Sequence, residues 1–202
     1  MGLFNREKHK EPVGEAKGTA AVVTGFILEI IQVVVIALLI IVPIRVFLIQ
    51  PFYVKGASME PNFYDHEYLI INEIGYRIGE PDRGDIVVFK YPDDPEEYFI
   101  KRIIGLPNET VEITDGKIII YNQAYPEGTI LDEEYLNDVY TAGEKKVTLR
   151  HDEYYVLGDN RGSSLDSRII GPVNEDYIIG KVWLRGWPID KLKVFKNPEY
   201  NF

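Results

Sequence analysis

Hydrophobic and polar positions divide the chain into two parts of different character. From Phe26 to Ile49 nearly every residue is apolar, and the breaks are Glu29, Gln32, Pro43 and Arg45. A helix of that span would be about 36 Å long, enough to cross a hydrocarbon core of ~30 Å with some tilt. Glu29 and Arg45 fall near its ends, where a charged head reaches the interface. Pro43 falls in the last turns, where a kink is tolerated. A cleavable leader would be shorter and end in a small-x-small site, whereas Pro43, Arg45, Gln50 and Pro51 follow here. A buried core helix is disfavoured, because the segment is apolar on all faces and lies near the terminus.

Beyond Gln50 the pattern becomes short apolar runs separated by Gly, Pro, Asn and Asp. The runs are Tyr68–Asn72, Asp85–Phe89, Tyr98–Ile104, Thr110–Ile113, Lys117–Tyr121, Lys146–Leu149 and Tyr154–Leu157. They are rich in Ile, Val, Tyr and Phe, which suit a pleated, half-buried surface. Asp115-Gly116 between two of them is a hairpin signal. The one stretch with a helical look is Asn174–Ile179. The segment from Ala124 to Glu144 is acidic, carrying Glu127, Asp132, Glu133, Glu134 and Asp138, and reads as a solvated surface excursion. The expected fold is mainly β, of barrel or sandwich type, with one N-terminal transmembrane helix.

Charge gives this layout a direction. Arg6, Lys8, Lys10 and Lys17 precede the apolar segment, and Arg45 and Lys55 lie near its far end. The bias places the N-terminus in the cytoplasm. The expected organisation is a cytoplasmic tail over 1–22, an anchor over 23–50 and an extracytoplasmic domain over 51–202. Such a protein is a single-pass protein of the cell membrane, with the bilayer as one partner. The net charge of −10 argues against nucleic acid, because phosphate binding needs a basic face. With no cysteine there is no disulfide, thiolate nucleophile or Cys-based zinc site. His9, His66 and His151 show no metal-ligand spacing, so no metal is expected. A Ser-His-Asp triad stays open through His66 or His151.

Three segments have chemical content. Ser58 lies in Gly56-Ala57-Ser58-Met59-Glu60-Pro61, a turn of small residues; such a serine is a turn residue or a nucleophile, and a nucleophile needs a base. Lys101 lies in Tyr98–Ile104, where strand alternation puts it on the face of Phe99 and Ile103. It is either an edge lysine reaching solvent or a desolvated amine of lowered pKa that can act as a base. The loop from Gly158 to Arg168 mixes hydroxyls, acids and arginines, including an Asp166–Arg168 pair able to lock it beside a site.

Taken in order, Ser58-Met59-x-Pro61, Arg83-Gly84-Asp85-Ile86-Val87-Val88-Phe89, Lys101-Arg102-Ile103-Ile104-Gly105-Leu106-Pro107 and Gly158-Asp159-Asn160-Arg161-x-x-Ser164-x-Asp166-Ser167-Arg168 resemble the motif set of type I signal peptidases. The resemblance implies a serine endopeptidase with a coiled β-sheet body and no cofactor. It implies Ser58 as nucleophile, Lys101 as general base, and Ser164 as the hydroxyl that orients the lysine. It aligns Asp166 and Arg168 with a supporting pair and Asp159 with a further acid of the loop. It implies secretory preproteins as partners, with small residues before the cut. The oxyanion donor it supports is the Ser58 backbone N–H, because the position two residues earlier, where some members carry a second donor, is Gly56. Substrate is expected along Phe52–Gly56 and part of Asp85–Phe89. Two rival readings are a Ser-Lys protease that cuts itself or one dedicated substrate, and a tethered β-domain that binds without catalysis.

Overall fold

The computed structural model describes residues 18–47, 49–137 and 139–200. The expectations for Arg6, Lys8, His9, Lys10, Lys17 and Asp138 lie outside the described residues. The chain forms two units, divided between Pro43 and Ile44.

The first unit is dominated by helix α1, Thr19–Phe47. It begins before Phe26 because Ala20, Ala21, Val22 and Val23 extend the apolar run. Ala21–Val42 is long and apolar enough to cross a membrane, and its core window buries nothing against protein. The helix stops short of Ile49, which opens a strand.

The second unit is mainly β. Its strands are β1 Ile49–Tyr53, β2 Tyr68–Asn72, β3 Ile86–Tyr91, β4 Asp94–Gly105, β5 Thr110–Thr114, β6 Lys117–Tyr121, β7 Thr129–Ile130, β8 Lys145–Thr148, β9 Glu153–Leu157, β10 Val173–Asn174, β11 Ile178–Trp187 and β12 Lys193–Val194. Two short helices, α2 Ile74–Ile78 and α3 Ser167–Ile170, and 3₁₀ turns complete it. The main sheet runs β1-β2-β11-β3-β4-β9-β10, with β12 also on β11, and the second runs β7-β6-β5-β8. Every strand pair within them is antiparallel.

Burial alternates along β5 and β6 of the smaller sheet. Val111 and Ile113 of β5 and Ile118 and Ile120 of β6 turn inward, beside Ile104, Leu149, Tyr155 and Leu157. Asp115 and Gly116 both have positive φ, as a tight two-residue hairpin requires. Gly105, at a register shift between β4 and β9, lies where this core closes on the main sheet. A side chain there would strike Val111, Leu149 and Tyr155.

Two expectations fail. Asn174–Ile179 is not a helix: Asn174 caps a single 3₁₀ turn at Glu175–Tyr177, and Ile178 then pairs with Phe89 as β11 begins. β-Branched Ile178 and Ile179, followed by Gly180, favour the strand. The Ala124–Glu144 segment is not merely a solvated excursion, because Leu131, Leu136 and Thr141 are buried and Glu133 pairs with Arg161.

Candidate active site

Lys101 sits on β4, one residue before β9 joins that strand on its second side. Val87 of β3 is opposite Lys101 on one side, and Arg102 is opposite Leu157 of β9 on the other. Residues 101–105 are all buried, so alternation in the sequence could not assign a buried face. The edge-lysine reading is excluded, since Lys101 is 4% exposed. Its Nζ donates to Ser58 Oγ at 2.9 Å and to the Ile100 carbonyl at 2.8 Å. The Phe99 ring centroid lies 5.2 Å away. Burial lowers the amine's pKa to about 8, against the opposing pull of Asp166 and Asp159.

Ser58 lies in a turn built by its neighbours. Gly56 has a φ of +85°, a conformation that favours glycine, and its N–H donates to Asp65. Met59 and Phe63 are buried and tie the following turn into the core. From the loop after β9, Asn160 reaches this turn twice. Its side-chain amide donates to the Ala57 carbonyl at 3.0 Å, and its backbone N–H donates to the Ser58 carbonyl at 3.0 Å. Gly158 allows the approach, since a Cβ there would lie 2.5 Å from the Ser58 carbonyl oxygen.

Buried ion pairs lock the loop. Asp159 takes hydrogen bonds from Arg102 at 2.9 and 2.7 Å, and from Asn62 at 2.9 Å. Burial works against the Arg102 charge, but the hydrogen bonds to Asp159 overcome it and raise the pKa. Arg161 bonds the Gly158 carbonyl and Glu133. Asp166 is fully buried, caps α3, accepts from the Gly158 N–H and is bridged twice by Arg168. Burial pushes the Asp166 carboxyl up, yet Arg168 and the Gly158 N–H hold it below the ordinary carboxylate value.

The structure thus brings Ser58, Lys101, Asp159, Asp166 and Arg168 into one neighbourhood. Ser164 is there too, its Oγ buried, but the expected hydrogen bond to Lys101 is not formed. The amine's partners are Ser58 and Ile100. His66 and His151 are exposed, and among the described residues the Ser58 hydroxyl bonds Lys101 and neither histidine, so the triad option falls away. Sequence reasoning missed the Ile100 carbonyl, Arg102 and Asn160. An asparagine among glycines and serines reads as a turn former, and nothing local marks its distant partner.

Ser58 and Lys101 open on a cleft of about 540 Å³. Phe52, Val54, Leu69, Val88 and Ile100 give it apolar walls, and Glu96, Glu97 and Lys55 also line it. Strand β9 pairs with β4 only from Arg102 onward. Among the described residues, the edge of β4 at Tyr98–Ile100 is therefore unpaired on that side. The expected use of Asp85–Phe89 as a substrate edge fails, because β3 is covered by β4 and β11.

The family described as "Signal peptidase, peptidase S26" matches residues 27–187. A probable signal peptidase I-2 of Synechocystis sp. is 37% identical over 172 residues, covering 82% of this chain and 75% of the relative. Signal peptidase IB of Staphylococcus aureus is 34% identical over 185 residues, covering 86% and 96%. A crystal structure of a signal peptidase I from Enterococcus faecalis superposes with a TM-score of 0.44 at 31% identity, over 52% of this chain and 97% of that one. The chain belongs to the signal peptidase S26 family and is a serine endopeptidase of that family.

Proposed function

We propose that this enzyme is anchored by α1, removes signal peptides from exported preproteins, and uses Ser58 as nucleophile and Lys101 as general base. The observation that carries the reading is a 2.9 Å contact between Ser58 Oγ and a lysine amine 4% exposed. A desolvated amine is neutral over part of the working pH range, and its lone pair then accepts the Oγ proton. Oγ attacks the scissile carbonyl carbon, and the carbonyl oxygen takes the negative charge. The Ser58 N–H is free to donate to that oxygen, since among the described residues nothing accepts from it. The Lys101 ammonium then gives its proton to the departing amine, leaving an acyl-serine. Water, deprotonated by Lys101, releases the acid and restores the serine.

Substrate adds as a strand along Tyr98–Ile100, and the apolar cleft takes its small side chains. The basic residues before α1 favour a cytoplasmic N-terminus, which leaves residues 51–202 on the outer side. Asp166 and Arg168 hold the supporting loop, and Leu165 of that loop lines the cleft beside the dyad.

The test is cleavage of a secretory preprotein by the full chain in detergent, compared with Ser58→Ala and Lys101→Met. Undiminished cleavage by either variant would end this reading. The pH profile gives a further expectation. Only the neutral amine serves as base, so kcat/KM rises with pH, passes half its maximum near the Lys101 pKa of about 8, and levels off above it. Initial rates from pH 6 to 10 check it. A profile flat across pH 8 contradicts a lysine base with this environment.

A further inference from the structure

Asn160 touches no reacting atom in the scheme above. Its position nevertheless bears on the oxyanion donor. The carbonyl of Ala57 and the N–H of Ser58 belong to one peptide plane. In a trans peptide these two groups point in opposite directions. Whatever fixes the Ala57 carbonyl therefore aims the Ser58 N–H. That carbonyl accepts from Asn160 Nδ2 at 3.0 Å and from the Glu60 N–H at 3.2 Å. The next carbonyl, of Ser58, accepts from the Asn160 N–H at 3.0 Å. One residue thus holds the peptide planes on both sides of the nucleophile.

Asn160 is itself held rigidly. Asp159 before it is fixed to Arg102, and Arg161 after it is fixed to Glu133 and to the Gly158 carbonyl. Its side chain is only half-buried, so the hydrophobic core does not depend on it. Gly56 cannot offer a side-chain hydroxyl as a second donor. The orientation of the single identified N–H then matters more.

We infer that Asn160 is a positioning residue that orients the Ala57–Ser58 peptide so that the Ser58 N–H faces the developing oxyanion. The inference rests on the proposed Ser58–Lys101 reading. Asn160→Asp keeps the shape, keeps the backbone bond to Ser58 and removes the side-chain donor. Asn160→Ala removes the side chain beyond Cβ. Both are assayed as full chains in detergent on a fluorogenic peptide with small residues before the cut. A peptide aldehyde of matching sequence reports the oxyanion site directly, because its adduct with Ser58 Oγ places an oxygen there.

For both variants kcat is expected to fall at least about tenfold, short of or reaching the loss of a whole donor. KM changes by less than about twofold, since ground-state binding is untouched. In Asn160→Ala the pH midpoint stays near 8, since no charge is added beside Lys101, whereas the new carboxylate of Asn160→Asp moves it upward. The aldehyde inhibition constant rises by the same factor as kcat/KM falls. Full activity of either variant overturns the inference. So does a loss confined to KM, a shifted pH midpoint in Asn160→Ala, or a deficit that vanishes well below the unfolding temperature. Ser58→Ala is run in parallel to separate the two claims. Activity in Ser58→Ala sinks the dyad itself, whereas an active Asn160→Ala beside an inactive Ser58→Ala sinks only the positioning role.

Discussion

Ser58→Ala is expected to reduce preprotein cleavage by roughly 10⁴–10⁶-fold, the scale on which a serine hydrolase loses its nucleophile. Lys101→Met should fall equally far, and the double variant no further, because residues acting as one unit do not add. Met keeps much of the apolar stem and removes the amine. Lys101→Arg should be as inactive as Lys101→Met: a guanidinium stays charged at every working pH and has no lone pair to offer. Single-turnover assays with excess enzyme read these rates, and circular dichroism checks that each variant is folded. Lys101→Met should be at least as resistant to heat as the parent, since it removes a desolvated amine. A Lys101→Arg enzyme with more than a few per cent of parent activity would argue against proton transfer to this side chain.

The second large effect concerns stability. Asp159→Ala should cost about 3–5 kcal/mol of folding free energy, the usual result of stranding one member of a buried ion pair. Arg102 and Asp159 are 4% and 1% exposed, and Arg102 would lose both bonds to Asp159. Its remaining contacts, to the Gly84 carbonyl and over the Tyr135 ring, cannot balance the charge. Asp159→Asn should be milder, because an amide still accepts one hydrogen bond from the guanidinium. Replacing both residues with apolar side chains of similar volume should recover much of the loss. Urea unfolding of the full chain in detergent micelles, followed by tryptophan fluorescence, measures all three. A loss below about 1 kcal/mol for Asp159→Ala would mean that water reaches Arg102 freely.

Much of this architecture was readable in the chain. The apolar run gave the helix, and runs rich in Ile, Val and Tyr around the Asp115-Gly116 turn gave β5 and β6. Strand β11 was not readable, for a physical reason. Its register slips twice against β2 and once against β3, and it turns Lys181 and Arg185 toward Asp85 and Glu67. Bulges break a period of two, and ion-paired cations inside look like a solvated segment. Lys101 was ambiguous because its stretch of β4 is buried on both faces, which only the neighbouring strands decide. Motif order located Ser58, Lys101, Asp159, Asp166 and Arg168. It did not reveal the Ile100 carbonyl or Asn160, since backbone acceptors and long-range amide contacts leave no residue pattern.

Lys101 and Arg102 are adjacent on β4, and their adjacency has a consequence for when the enzyme becomes an enzyme. From Ser58 Oγ the contacts run to Lys101, along one peptide bond to Arg102, across to Asp159, along another to Asn160, and back to the Ser58 carbonyl. The circuit joins segments 43, 57 and 102 positions apart. A growing chain carries both serine and lysine long before it carries the residues that close the circuit. Until the segment around Asn160 has emerged and docked, the proposed nucleophile and base have no shared frame. On the proposed reading, competence to cut peptide bonds is thus deferred until the segment around Asn160 has been made and has docked.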